Sequence, residues 1–168
     1  MSAPRAHSVS PGGPAIRVVF AARHDAPLVH RLVCEAFLEY EGVLQPASGA
    51  LSETVEDVGN AIANGGAVLA WSGDIAVGTA RFSLRADEVY VERVAVAPAY
   101  RGASIATLMM QHIEAHARTL GVERCAVRVR MSLPRNIALY QRLGYAIVKV
   151  EPHRKGGDEV ATLLKKLT

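Results

Sequence analysis

Apolar and polar positions along the chain follow two periods, and the switches between them predict the elements. "AIRVVFAA" reads as a strand, and "DAPLVHRLVCEAFLEYEG" as a helix that opens with Asp25 before Pro27 and closes at Gly42. "LSETVEDVGNAIANGG" predicts a second helix, with Ser52 as its N-cap and Glu53, Glu56 and Asp57 near the positive end of its dipole. "AVLAWSGDIAVGTARFSLR" predicts two strands joined at Ser72-Gly73-Asp74, and "EVYVERVAVA" a third in the same sheet. A helix should then run to Leu120, where Gly121 stops it. "VERCAVRVRM" predicts a strand, and "LPRNIALYQRLG" a helix with Pro134 in its first turn and Gly144 at its end. The tail predicts two strands around Lys155-Gly156-Gly157. Hairpins beside strand–helix–strand units imply an α/β fold: a single mixed, mostly antiparallel sheet flanked by helices.

Composition narrows this picture. The chain has 168 residues, enough for one domain with a substantial core. Its opening residues, 1–14, are rich in Pro, Gly and Ser and predict a disordered arm, which leaves residues 15–168 as the domain. That arm has no apolar segment of the kind a signal peptide needs, and uncharged stretches elsewhere break well short of a membrane span. A cytoplasmic protein without membrane contact is expected, with Cys34 and Cys125 as reduced, buried thiols. The net charge of +3 hides an asymmetry. Residues 32–80 hold seven acids and no Lys or Arg, so the remainder carries +10. Aromatic residues make up only 5% of the chain and do not interleave with basic ones, which argues against nucleic-acid binding.

Between the cleanest strand and the cleanest helix lies "Arg101-Gly102-Ala103-Ser104-Ile105-Ala106". A small-residue turn that opens a helix leaves backbone N–H groups free for an anion and lets the backbone approach it closely. Further on, Asn136 and Tyr140 stand four residues apart on one helix face, with Ala138 and Leu139 expected to pack inward. With the "ERVAV" strand, these two patterns make the chain resemble the GNAT superfamily of acyl-CoA-dependent N-acyltransferases. The resemblance covers element order from about Ile16 to Leu167 and is most specific over residues 92–106 and 136–145.

That resemblance implies a GNAT-like fold and an N-acetyltransferase that moves an acetyl group from acetyl-CoA, its cosubstrate, to a primary amine. It assigns the CoA pyrophosphate to the turn at Arg101–Ala106 and the pantetheine arm to Val94, Ala95 and Val96, with Asn136 also on the cofactor side. Ser104 replaces a usual Gly, a change that suits the turn where its backbone avoids positive φ. Glu92 falls where many relatives carry a general base, and strand alternation would put it on the same face as Val94. The Val96 N–H would meet the oxyanion, and Tyr140 would protonate the departing thiolate. The acidic segment would line the acceptor side, with Glu39, Glu41 and Glu53 drawing in a cationic amine and Tyr40 as a wall of the pocket. The pair His112 and His116 lacks the HExxH arrangement, so no metal is expected. A non-catalytic acyl-CoA-binding relative is the competing reading, and the resemblance leaves room for a homodimer.

Overall fold

The computed structural model describes residues 14–168, and residues 1–13 of the expected arm lie outside the described residues. Seven strands form one sheet in the order β1-β2-β3-β4-β5-β7-β6. They are β1 (Ile16–Phe20), β2 (Gly66–Ser72), β3 (Ile75–Arg85), β4 (Glu88–Val96), β5 (Arg124–Arg130), β6 (Ala146–Pro152) and β7 (Glu159–Lys166). Every neighbouring pair is antiparallel except β4 and β5. A parallel pair needs a crossover, and α3 (Ile105–Thr119) provides it.

Helices α1 (Ala26–Phe37) and α2 (Val55–Asn64) cover one face of the sheet's first half, burying Val29, Leu32, Val58 and Ile62 against Ala67 and Leu69. The opposite face carries the main core, in which Met109, Met110 and Ile113 of α3 meet Val68, Val91, Cys125 and Val127. Helix α4 (Pro134–Arg142) adds Ile137 and Tyr140 to that core.

The N-cap of α2 is Thr54, two residues later than the expected Ser52. Its hydroxyl accepts from the Asp57 N–H at 3.1 Å, and the Asp57 carboxylate accepts from the Thr54 N–H at 2.9 Å. This reciprocal pair satisfies two helix-end donors at once, which Ser52 cannot do with Val55 three residues on. Cys34 and Cys125 are both free thiols, but only Cys125 is fully buried. His112 and His116 each meet the Phe20 ring at a steep angle, with ring centroids 4.8 Å apart, and so form part of the packing between α3 and β1. Among the described residues, no helix is long and apolar enough to cross a membrane.

Candidate active site

The site begins with an irregularity in β4. Glu92 pairs with Arg81 and Ala95 with Thr79, so Arg93 and Val94 together oppose the single residue Ala80. This is a β-bulge, and Arg93 takes φ +53° within it. The extra residue shifts the side-chain phase of the strand. Val94 and Val96 pack on the α3 side with Val89 and Val91, while Ala95 packs with Val33 and Ala36 of α1. Glu92 pairs with Arg81 on that α1 side, so Glu92 and Val94 lie on opposite faces and not on one, as unbroken alternation would have them.

Beyond the bulge the sheet opens. Parallel pairing of β4 with β5 runs only from Glu88 and Arg124 to Val91 and Val127, although the strands continue to Val96 and Arg130. The Ala97 N–H donates to the Val77 carbonyl at 2.8 Å, on the β3 side. Successive peptide groups alternate between strand edges, so the N–H groups of Val94 and Val96 face the gap that β5 has left. A cleft of about 1630 Å³ fills this gap, and Glu92, Val94, Ala95 and Val96 line it.

At the end of β4 the chain makes a short turn at Pro98–Tyr100 and enters α3 through residues 101–104. Gly102 has φ +85°, and a Cβ added there would meet nothing within 4 Å. Ser104 sits at φ +60°, in the left-handed region and against the expectation of a negative φ at this position. The Ser104 side chain does not cap α3, and no acid occupies the first helical turn. The leading N–H groups of α3 therefore remain available to an anion, and Gly102, Ser104, Ile105 and Ala106 line the cleft beside them. Such a cradle fits the pyrophosphate of CoA. Ala103 is exposed beside the turn. The Arg101 guanidinium lies across the cleft, donating to the Glu39 carboxylate at 2.5 Å and to the Ala36 carbonyl at 3.3 Å.

Helix α4 closes the far wall. Its buried residues are Ile137 and Tyr140, one position away from the expected Ala138 and Leu139, because the helix turns its 137/140 edge to the core. Tyr140 lies edge-on to Tyr145 at 5.8 Å between ring centroids and borders the cleft. Burial holds its phenol far above the ordinary tyrosine value, so it stays protonated at any working pH. Asn136 also borders the cleft, and its amide donates to the Tyr40 hydroxyl at 3.4 Å.

Of the acids named from sequence, Glu39, Glu53 and Glu92 have basic partners that a linear charge count does not reveal. Glu53 binds Arg81 at 2.5 Å and the Arg93 Nε at 2.6 Å. Burial pushes its carboxyl upward, but these two guanidinium groups outweigh that and hold it below the usual carboxylate range. Arg81, only 5% exposed, also reaches Glu92 at 3.3 Å. Glu39 is held by Arg101, while Glu41 is exposed at the cleft rim.

Sequence reasoning passed over Arg81 and Arg93. Arg81 had a signal: a cation inside the apolar run of β3 demands a buried partner. Arg93 had one too, since valines at 89 and 91 resume at 94 and 96 and so slip phase at that point.

Residues 31–145 match the Acetyltransferase (GNAT) family. An uncharacterised N-acetyltransferase of Bacillus subtilis, YdgE, is 31% identical over 68 residues, which span 40% of this chain and 43% of that relative. Among solved structures, the PaiA N-acetyltransferase of Thermoplasma acidophilum in complex with coenzyme A superimposes with a TM-score of 0.76 at 17% identity. That likeness covers 90% of this chain and 99% of the other. The yncA protein of Salmonella typhimurium, solved with acetyl-CoA, gives 0.73 at 15% identity, over 91% and 94% of the two chains. With its parted central strands, its glycine turn and a family match over most of its length, this chain belongs to the GNAT family of acetyltransferases.

Proposed function

We propose that the protein transfers an acetyl group from acetyl-CoA directly to a primary amine of a small molecule or peptide. The observation that carries this reading is the opening between β4 and β5, which leads from the α3 turn to Glu92 and Tyr140. In this reading acetyl-CoA supplies an activated thioester. The turn at Arg101–Ala106 holds its phosphates, and the exposed edges of Val94 and Val96 hold its amide-rich arm as an added strand would be held.

Glu92, on the acceptor side of the bulge, takes a proton from the ammonium group, directly or through water, because only the neutral amine attacks. The amine nitrogen then bonds to the thioester carbon while the Val96 N–H holds the oxygen as it gains charge. When the carbonyl re-forms and the carbon–sulfur bond breaks, the acylated nitrogen releases its surplus proton to solvent, and Tyr140 passes its phenolic proton to the thiolate and regains one from solvent. No side chain of the protein carries the acetyl group.

Calorimetry with acetyl-CoA, followed by measurement of CoA release over a panel of amines, tests the proposal. Binding and amine-dependent release are expected. Tyr140→Phe should lower kcat by about a hundredfold, and Glu92→Gln by a similar factor at neutral pH, with acetyl-CoA affinity near wild type in both. Binding without release for any amine would leave a non-catalytic acyl-CoA-binding protein and overturn the transferase reading.

A further inference from the structure

We propose that the acceptor is an amine that also carries a carboxylate, and that Arg93 holds this carboxylate. The inference rests on the acetyl-transfer reading above and deepens it. It starts from the conformation of Arg93, a long charged residue placed at φ +53° inside a strand, where glycine would fit more easily. Backbone strain of this kind persists where the surroundings fix it, and it concentrates at working sites.

The surroundings here are specific. The Arg93 Nε donates to Glu53 at 2.6 Å, and Glu53 is anchored in turn by the buried Arg81. This brace engages only one edge of the Arg93 guanidinium. Its Nη2 lies beside Gly49, where an added Cβ would stand 3.3 Å away, and the residue borders the cleft. Arg93 is thus a guanidinium braced through its Nε at the edge of the cleft, and its remaining N–H donors have the fork chemistry that suits a carboxylate. Glu92, its neighbour in sequence, borders the same cleft. A carboxylate and a guanidinium side by side complement an ammonium and a carboxylate side by side.

The wider charge agrees. Eight Arg and Lys side chains border the cleft against three Glu. On the acceptor side, Arg128 and Arg130 project from β5, and Arg154 and Lys155 from the β6–β7 hairpin. Arg128 is paired with Glu151 at 3.3 Å and Arg130 with Asp158 at 3.6 Å, so the positive field on this side comes from Arg154 and Lys155. A purely cationic acceptor would enter against this field, whereas an amine bearing a carboxylate would be drawn into it.

The test compares α-amino acids, β-alanine and γ-aminobutyrate with their own carboxamides, reading kcat/KM from CoA release. At least one carboxylate form should exceed its carboxamide by tenfold or more, and the ratio should shrink as salt is raised. In Arg93→Gln the same ratio should fall toward one, mainly through KM for the carboxylate form, with the acetyl-CoA dissociation constant unchanged by calorimetry. The wild-type ratio decides the acceptor class even if that variant fails to fold. Arg93→Lys, which keeps the charge but loses the fork, should lower the ratio partway, and an unchanged ratio in a folded Arg93 variant would overturn the role of Arg93. Equal rates for acid and amide, or release only with carboxamides or a polyamine such as spermidine, would overturn the inference and leave acetyl transfer standing. Absence of release with every amine would overturn both.

Discussion

Glu53 does not itself line the cleft but braces Arg93, which does, against the buried Arg81. Its carboxylate sits between two guanidinium groups, one of them buried, and its carboxyl is held below the usual range despite partial burial. A carboxylate whose folded pKa is depressed contributes stability above its unfolded value, near 4.3, and loses it as pH falls through the folded value. Stability at pH 6–8 should therefore include this contribution in full and decline below about pH 4.5. Glu53→Gln removes the charge while keeping the shape, and leaves Arg81 buried without its main partner. It should cost about 2–4 kcal/mol at pH 7, seen as a lower urea midpoint. The variant should also show a flatter loss of stability between about pH 5 and 3 than the wild type. An unchanged midpoint and an unchanged acid slope would mean that Glu53 does not brace the wall.

At the scale of elements, the turn before α3 holds two residues in the left-handed region, Gly102 and Ser104, and the two should respond oppositely to substitution. Gly102→Ala meets open space but acquires a Cβ at φ +85°, so it should destabilise by about 1 kcal/mol through the backbone alone. Ser104→Gly relieves the same kind of strain and loses some of the gain to a freer unfolded chain. It should stabilise by up to about 1 kcal/mol without weakening acetyl-CoA binding. Thermal unfolding of both variants checks this. These elements also show what the sequence made legible. The strands, the four long helices and the stops at Gly121 and Gly144 followed from local period and turn chemistry, because each is decided by residues close in the chain. Helix α1 instead ends at Phe37, short of the expected Gly42, because a 3-10 turn over Leu38–Tyr40 takes over. The capping box of α2 was written locally as Thr54-Val55-Glu56-Asp57, and the bulge of β4 as the phase slip of its valines, so both were readable in principle. The Glu53–Arg81–Arg93 cluster was not, because it joins residues 28 and 40 positions apart that meet only when α1 and α2 close over β3 and β4.

At the scale of the whole molecule, two contacts span the mouth of the cleft: Arg101 to Glu39, and Asn136 to Tyr40. Both join the short turn after α1, on the acceptor side, to residues assigned to the acyl-CoA side. If Arg101 holds a CoA phosphate as proposed, it cannot serve it fully while it holds Glu39, and binding of acetyl-CoA should compete with this ion pair. A ligand shifts such an equilibrium only by its differential affinity for the two arrangements. Arg101 and Glu39 are each about 40% exposed, which limits the pair to roughly 1 kcal/mol at most. Glu39→Gln should therefore tighten acetyl-CoA binding by no more than about fivefold, a factor set by that limit. Arg101→Met should weaken it, because the same guanidinium is then lost to the phosphate. The gain in Glu39→Gln should fade as salt is raised, since an exposed pair is screened within about 10 Å at 0.1 M ionic strength. Calorimetric titration of both variants at low and high salt distinguishes this competition from a simple structural role. If Glu39→Gln binds acetyl-CoA no more tightly at low salt, the Arg101–Glu39 bridge does not oppose the ligand, and the two sides of the cleft act independently.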